Sequence, residues 1–218
     1  MKYLWIGMGT APQEKADIVA AGGRILSAGV SQGALVAGLE QNGASCDSIN
    51  AYRVGAYPRY GEKRKRAYRW SRTGTSEDVS VGYWNILYLS HLGKARALRR
   101  AAADWANRHA DEDVTVLVYS MHSPFMAAAA AVKRRIPRAS VVLIVPDLPQ
   151  YMDMNMSALK RAFKQLDWMK IRRLMKSVTR YVLYSRHMAA FLKLPDGLWT
   201  VMEGSYQPEE PAGSEAAA

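Results

Sequence analysis

Two short stretches hold the residues best placed to do chemistry. In Val145-Pro146-Asp147-Leu148-Pro149-Gln150-Tyr151 a carboxylate follows an apolar run and stands between two prolines. Proline fixes its own φ and restricts the residue before it, so Asp147 is rigidly aimed. Such an acid can accept a sugar hydroxyl, act as a general base, or cap the next helix. Tyr151 lies just beyond, in reach of the same ligand. In Tyr119-Ser120-Met121-His122-Ser123-Pro124, His122 is the one histidine of four that sits where a buried strand feeds a helix. An imidazole there can donate to an oxyanion or phosphate near neutral pH, and it can equally cap or pack. Ligands of open α/β sheets bind at the carboxyl ends of strands, where both stretches fall.

Glycines mark a third region. Gly7-Met8-Gly9-Thr10-Ala11-Pro12 begins like a dinucleotide fingerprint, but Pro12 replaces the third glycine. Gly7–Gly29 therefore reads as one long loop with no helix and no NAD site. Gly22-Gly23-Arg24 lies later in it. Paired glycines permit positive φ and close backbone approach, and a following helix N-terminus attracts phosphate. Gly-x-Ser-x-Gly, a Walker loop and paired metal-ligand histidines are absent from the sequence, so neither a metal nor a cofactor is expected.

Charge is the next signal. The 218 residues carry 30 Lys+Arg against 19 Asp+Glu, a formal net charge of +11. Such a balance favours anionic partners. Between Arg53 and Arg72 stand eight bases against Glu62 alone, with Tyr52, Tyr57, Tyr60, Tyr68 and Trp70 interleaved. Arg64, Lys65, Arg66, Arg69 and Trp70 are the expected contacts to an anionic surface. Rings among bases suit a lipid headgroup layer or nucleic-acid stacking, and a solvated loop is the plain alternative. A second basic set, Lys160, Arg161, Lys164, Lys170, Arg172, Arg173 and Lys176, accompanies an apolar face of Leu159, Phe163 and Leu166, which suits either the core or a membrane surface, the core being expected.

The elements that must position these residues alternate. Tyr3–Ile6, Asp47–Val54, Val114–Tyr119, Val141–Val145, Tyr181–Tyr184 and Leu198–Met202 read as strands. Val114–Tyr119 and Val141–Val145 are continuous apolar runs, the mark of parallel strands covered on both faces. Helices are expected from Ser31, as N-cap, to Asn42-Gly43; along Leu92, Ala95, Leu98, Ala102, Trp105 and Ala106; over Pro124–Arg135; from Leu159 to about Lys176; and over Arg186–Leu192. Gly55–Asp78 reads as irregular. Strand alternating with helix predicts a doubly wound, mostly parallel, Rossmann-like α/β sheet over residues 1–206. Gln207–Ala218, rich in Pro, Glu, Gly, Ser and Ala, reads as a disordered or linker tail. The single cysteine, Cys46, excludes an internal disulfide and fits a reducing compartment. No apolar run approaches the roughly 18 residues of a membrane span. The expected location is cytoplasmic, peripheral at the inner face of the membrane.

The order and spacing of these pieces resemble the N-terminal domain of retaining GT-B glycosyltransferases of the family 4 type, which include bacterial enzymes of polysaccharide biosynthesis. The matching pieces are the Gly22-Gly23 loop before a helix, Val118 to Pro124 with its histidine, Ile144 to Pro149, Tyr181-Val182-Leu183-Tyr184 leading to Ser185, and Val201-Met202-Glu203-Gly204. Asp147 stands where many relatives have histidine, and Glu203-Gly204 where many have Asn-Gly. The resemblance implies an acceptor-binding half, with Gly22, Gly23 and Arg24 toward the donor phosphates, His122 and Asp147 catalytic, and Tyr151 and Glu203 lining the cleft. It implies a nucleotide-sugar substrate, a glycan or lipid-linked acceptor, and a donor-binding domain or subunit beyond this chain, without which the half is inactive. A non-catalytic scaffold subunit is the alternative. A nucleic-acid partner is not expected, because buried parallel strands and a rigid acidic loop are not what such a binder needs.

Overall fold

A computed structural model describes residues 1–24, 27–87, 89–148 and 158–204. Tyr151 and the tail lie outside the described residues. The chain is an α/β protein built on one mostly parallel eight-stranded sheet. Its elements in order are β1 (Lys2–Gly7), α1 (Pro12–Ala20), α2 (Ser27–Gln41), β2 (Cys46–Asn50), β3 (Arg64–Lys65), β4 (Tyr68–Trp70), β5 (Asp78–Ser80), β6 (Tyr83–Trp84), α3 (Leu89–Arg108), β7 (Val114–Tyr119), α4 (Ser123–Arg135), β8 (Ser140–Val145), α5 (Ala158–Leu174), β9 (Arg180–Leu183), α6 (Arg186–Leu192) and β10 (Trp199–Val201). The sheet order is β10-β9-β8-β7-β1-β2-β5-β4. Only β4 runs antiparallel, beside β5, while β3 and β6 pair as a separate ribbon.

Alternation along the central strands explains why both faces are covered. Leu4 and Ile6 of β1, Val116 and Val118 of β7, and Leu143 and Val145 of β8 point to one face. They bury Leu98, Ala102, Trp105 and Ala106 of α3 and Ala128, Ala129 and Val132 of α4. The small alanines bring α3 and α4 close to each other. Trp5, Leu117, Tyr119 and Ile144 point to the other face and meet Val36 of α2. Strand β2, Cys-Asp-Ser-Ile-Asn, is wholly buried although polar. Its polar atoms are paired: Ser48 donates to Asp78 at 2.6 Å, Asn50 to Ser48 at 2.8 Å, and the Trp105 indole to Asp47 at 2.8 Å. Buried polar groups are tolerated on that condition.

Several expectations are corrected. Gly7–Gly29 is not one loop, because α1 occupies Pro12–Ala20. Proline at its first turn needs no N–H partner, and Glu14 at the third helical position favours the positive end of the helix. Helix α2 begins at Ser27 rather than at Ser31. Strand β2 ends at Asn50, short of Val54, and Gly55–Asp78 holds β3 and β4 and the start of β5. Leu92, expected on the core face of α3, is 64% exposed. Phe163 and Leu166 of α5, also expected in the core, are 52% and 59% exposed. The side of α5 that turns inward carries Ile171, which is buried, with Trp168 packed partly against the core.

Candidate functional site at the carboxyl edge of the sheet

Strands β7 and β8 are parallel neighbours, with Tyr119 opposite Ile144. His122 and Asp147 each follow three residues after that pair, so both stand at the carboxyl edge of the sheet. His122 is the N-cap of α4 and is part-buried, its ring edge-on to Phe125 at 5.9 Å between centroids. Asp147 is exposed and makes no hydrogen bond or ion pair with a described residue. No bond joins the two. Glu203 is exposed beyond β10, three strands from β7 and hence roughly 14 Å along the sheet. It lies apart from His122.

Sequence reasoning missed the groups that surround His122. Arg53 comes from the loop after β2, His91 and Lys94 from the first turns of α3, Ser123 from α4 and Asp167 from α5. Burial lowers the His122 pKa to about 4, and the charges of Arg53 and Lys94 push in the same direction against Asp167. Its ring is therefore neutral at pH 7. Lys94 is drawn down to about 8, first by burial of its ammonium and then by Arg53. Its ammonium lies over the Tyr83 ring, 4.7 Å from the centroid. In the sequence Lys94 is one of several cations along α3. No periodicity distinguishes it from Arg96 or Arg99, since its surroundings come from β6 and the loop after β2.

Ser123, His91 and Asp167 touch one another, but not as a nucleophilic triad. Ser123 Oγ donates to Asp167 Oδ1 at 2.5 Å, while His91 Nε2 lies 3.2 Å from Ser123 Oγ and 3.5 Å from Asp167. The carboxylate accepts a hydrogen bond directly from the serine hydroxyl and does not orient the far ring nitrogen of His91. Ser123 is also fully buried. Burial works against ionised Asp167, yet the His91 and Ser123 hydrogen bonds outweigh it and hold its pKa below the ordinary value.

The glycines have structural tasks. Gly22 has φ +76°, its N–H bonds the Val19 carbonyl, and the Gly23 N–H bonds the Ile18 carbonyl. This is a Schellman ending of α1. A Cβ on Gly23 would lie 2.8 Å from the Ile18 carbonyl oxygen. Arg24 is exposed, and its carbonyl accepts from the Tyr52 hydroxyl at 3.1 Å. The space beside Gly7 and Gly9, which a pyrophosphate would use in a dinucleotide fold, is taken by the protein's own side chains. A Cβ on Gly7 would fall 2.1 Å from Gln32 Oε1, and one on Gly9 2.8 Å from Asn50 Oδ1. Those oxygens accept from the Met8 and Gly9 N–H groups at 2.8 and 2.9 Å.

The expected anionic-surface residues divide. Arg64 and Arg66 are exposed along an open groove of about 940 Å³ on the β3–β6 ribbon, with the Arg64 guanidinium 5.7 Å from the Trp84 ring centroid. Arg69 is exposed and Trp70 half-buried on edge strand β4. Lys65 is no surface residue. Only 1% of it is exposed, and its ammonium lies 3.7 Å from the buried Glu14 carboxylate and 3.5 Å from the Tyr60 hydroxyl. On a strand, alternate residues face opposite ways, so Lys65 turns inward between Arg64 and Arg66.

At the opposite, amino edge, Asp47, Glu77 and His109 lie close enough to share a metal ion. Their carboxylates are already engaged, Asp47 by Lys2 at 3.0 Å and by Trp105, Glu77 by Arg108 at 2.7 Å. Among the described residues no helix is long and apolar enough to cross a membrane. No protein-family model matches the chain, and no curated protein matches it.

Proposed function

We propose that this chain is the acceptor-binding, Rossmann-like part of a glycosyltransferase that moves a sugar from a nucleotide-sugar to a glycan or lipid-linked acceptor. The observation that carries the reading is the placement of a neutral His122 and an Asp147 without a partner among the described residues at the carboxyl ends of adjacent parallel strands. A neutral imidazole can take a hydrogen bond from an acceptor hydroxyl and receive its proton, and an exposed carboxylate can hold a second hydroxyl. The likeness in order and spacing to family 4 GT-B enzymes supports the same reading. The donor would be held largely by a further domain or subunit.

The test is acceptor binding. Saturation-transfer NMR against mono- and disaccharides carried on short prenyl diphosphates is expected to show contact to the sugar rings. His122→Ala and Asp147→Ala should each weaken that contact tenfold or more while leaving the circular dichroism spectrum unchanged. Equal binding by both variants, or no sugar contact in the wild type, would sink the transferase reading.

A membrane-surface location belongs to the same proposal. Trp84, Leu87, Leu89 and Leu92 are exposed together where β6 leads into α3, with Arg64 stacked beside Trp84. On α5, exposed Phe163, Leu166 and Met169 share the helix with Arg161 and Lys170. Rings and leucines rimmed by bases match a layer of anionic headgroups. In co-sedimentation, phosphatidylglycerol vesicles should retain the protein and phosphatidylcholine vesicles should not. Arg64→Glu with Arg66→Glu should cut the retained fraction several-fold. Unchanged retention removes the membrane part of the proposal.

A further inference from the structure

The amino edge of the sheet holds a buried histidine nitrogen without a hydrogen-bond partner. His109 follows directly on α3, and its ring lies against the buried Trp105 indole, 4.3 Å between centroids. Its Nδ1 is 2.6 Å from a Glu112 carboxylate oxygen. A carboxylate accepts, so the Nδ1 hydrogen turns to Glu112 and the other ring nitrogen keeps a lone pair. That nitrogen, Nε2, is buried and finds no hydrogen-bond partner among the described residues. It lies 3.9 Å from Asp47 Oδ2, too far for a hydrogen bond. Asp47 is itself fully buried.

A buried nitrogen lone pair beside a buried carboxylate oxygen is an arrangement that a cation between them completes. The gap has the size of an ion. Zinc bonds are about 2.0–2.1 Å to imidazole nitrogen and about 2.0–2.2 Å to carboxylate oxygen, and a tetrahedral angle sets two such ligands roughly 3.4 Å apart. Closing the gap by about half an ångström reaches that geometry. Glu77 brings a third ligand, since one ligand atom each from Asp47, Glu77 and His109 lie within 4.8 Å of one another. The present partners leave these atoms able to bind. Lys2 and the Glu77 N–H take the other Asp47 oxygen, Oδ1, at 3.0 and 2.9 Å. Oδ2 accepts from the Trp105 indole at 2.8 Å and keeps a second lone pair. Arg108 holds Glu77 in a half-exposed pair, a contact worth little. Trp105 behind the carboxylate and Glu112 behind the imidazole are outer partners of the kind that orient metal ligands.

We propose that Asp47, Glu77 and His109 form a zinc site at the amino edge of the sheet, with water as the fourth ligand. Imidazole with carboxylates suits zinc, whereas magnesium and calcium take oxygen alone. The ion ties β2, the residue before β5 and the end of α3 together. It lies at the edge opposite His122 and Asp147, so it fastens the fold and is independent of the transferase reading. The three ligands stand far apart in the chain, and no spacing motif announces them; the sequence reading expected no metal.

Calorimetric titration with zinc chloride tests it on the untagged chain. Saturable binding of one ion per chain at micromolar concentration is expected, weakened tenfold or more by His109→Gln and several-fold by Glu77→Gln. His187→Gln and His91→Gln should bind as the wild type does, and excess magnesium should not compete. Cobalt(II) should give the visible absorption of a tetrahedral site in the wild type and lose it in His109→Gln. Lys2→Met keeps the test open if His109→Gln misfolds. Without metal it should melt below the wild type, because buried Asp47 loses its counter-charge. Zinc should then raise its melting temperature more than that of the wild type, since a cation opposing the ion has gone. Absent saturable binding by the wild type, equal binding by His109→Gln, or competition by magnesium would each overturn the site. So would nitrogen-15 NMR showing both His109 ring nitrogens protonated at pH 7.5 with zinc present, since the ring would then be an imidazolium bridging Asp47 and Glu112.

Discussion

Lys65→Met is expected to lower the unfolding free energy at pH 8 by about 3–5 kcal/mol, the range for removing one partner of a buried ion pair. Lys65 and Glu14 are each 1% exposed, and one Glu14 oxygen has no hydrogen-bond partner among the described residues. Burial raises the Glu14 pKa, and the Ser80 hydroxyl, Lys65 and the Ala11 N–H only partly offset it. Without Lys65 the buried carboxylate loses its counter-charge and its pKa rises further. The folded state of the variant then binds more protons than the unfolded state above pH 4.5. Stability falls as pH rises through that window, so the loss is largest at pH 8 and smaller near pH 5. Adding Glu14→Gln should return part of it, because no charge remains buried. Urea unfolding of both singles and the double at pH 5 and pH 8 measures this. A loss under 1 kcal/mol at pH 8, or one that grows toward pH 5, would contradict the buried pair.

Lys65 also marks where the sequence stops being legible. Lys63-Arg64-Lys65-Arg66 has no hydrophobic alternation, since the residue that turns inward is itself a lysine, and a charge run reads as a solvated face. The partner, Glu14, is far off in the chain and sits on a helix that the sequence reading did not expect. Pro12 with Glu14 is a good helix start, but glycines on both sides of it read as a loop. Those glycines serve close packing at Gly7 and Gly9 and a helix ending at Gly22. By contrast, β7, α4, β8 and α6 were legible to within a residue or two. Apolar runs buried on both faces, and an Ala-rich segment opened by Ser123-Pro124, leave little else to form.

The same divide runs through the candidate site. His122 and Asp147 could be named because each follows a buried strand, and strand ends are local features. Arg53, His91, Lys94 and Asp167 could not, since they reach the site from three different segments and are placed by tertiary packing. Phe163 and Leu166 show the converse: helical spacing announces an apolar face but not what covers it. Here the sheet is already covered over β1, β7 and β8 by α4, and that face of α5 is left outward.

The pH dependence of stability should change when His122 is replaced. Its folded pKa is about 4 against an ordinary value of 6.5. Between those limits the unfolded chain binds a proton that the folded chain refuses, so stability rises with pH across the window. The difference corresponds to roughly 3 kcal/mol, gained from pH 4 to pH 6.5. His122→Gln keeps a polar side chain of similar reach but cannot take the proton. Its stability should therefore change less with pH, and relative to the wild type it should be more stable at pH 4 than at pH 7. The difference between the two urea midpoints, followed from pH 4 to pH 7, reads the contribution of the imidazole. Burial is the largest cause of the shift; Arg53 and Lys94 add to it, since both oppose a charged ring, and Asp167 works against them. Lys94→Met should therefore narrow the gap. Parallel midpoint curves for wild type and His122→Gln would mean that the ring titrates normally, which would return His122 to the role of an ordinary solvated cap.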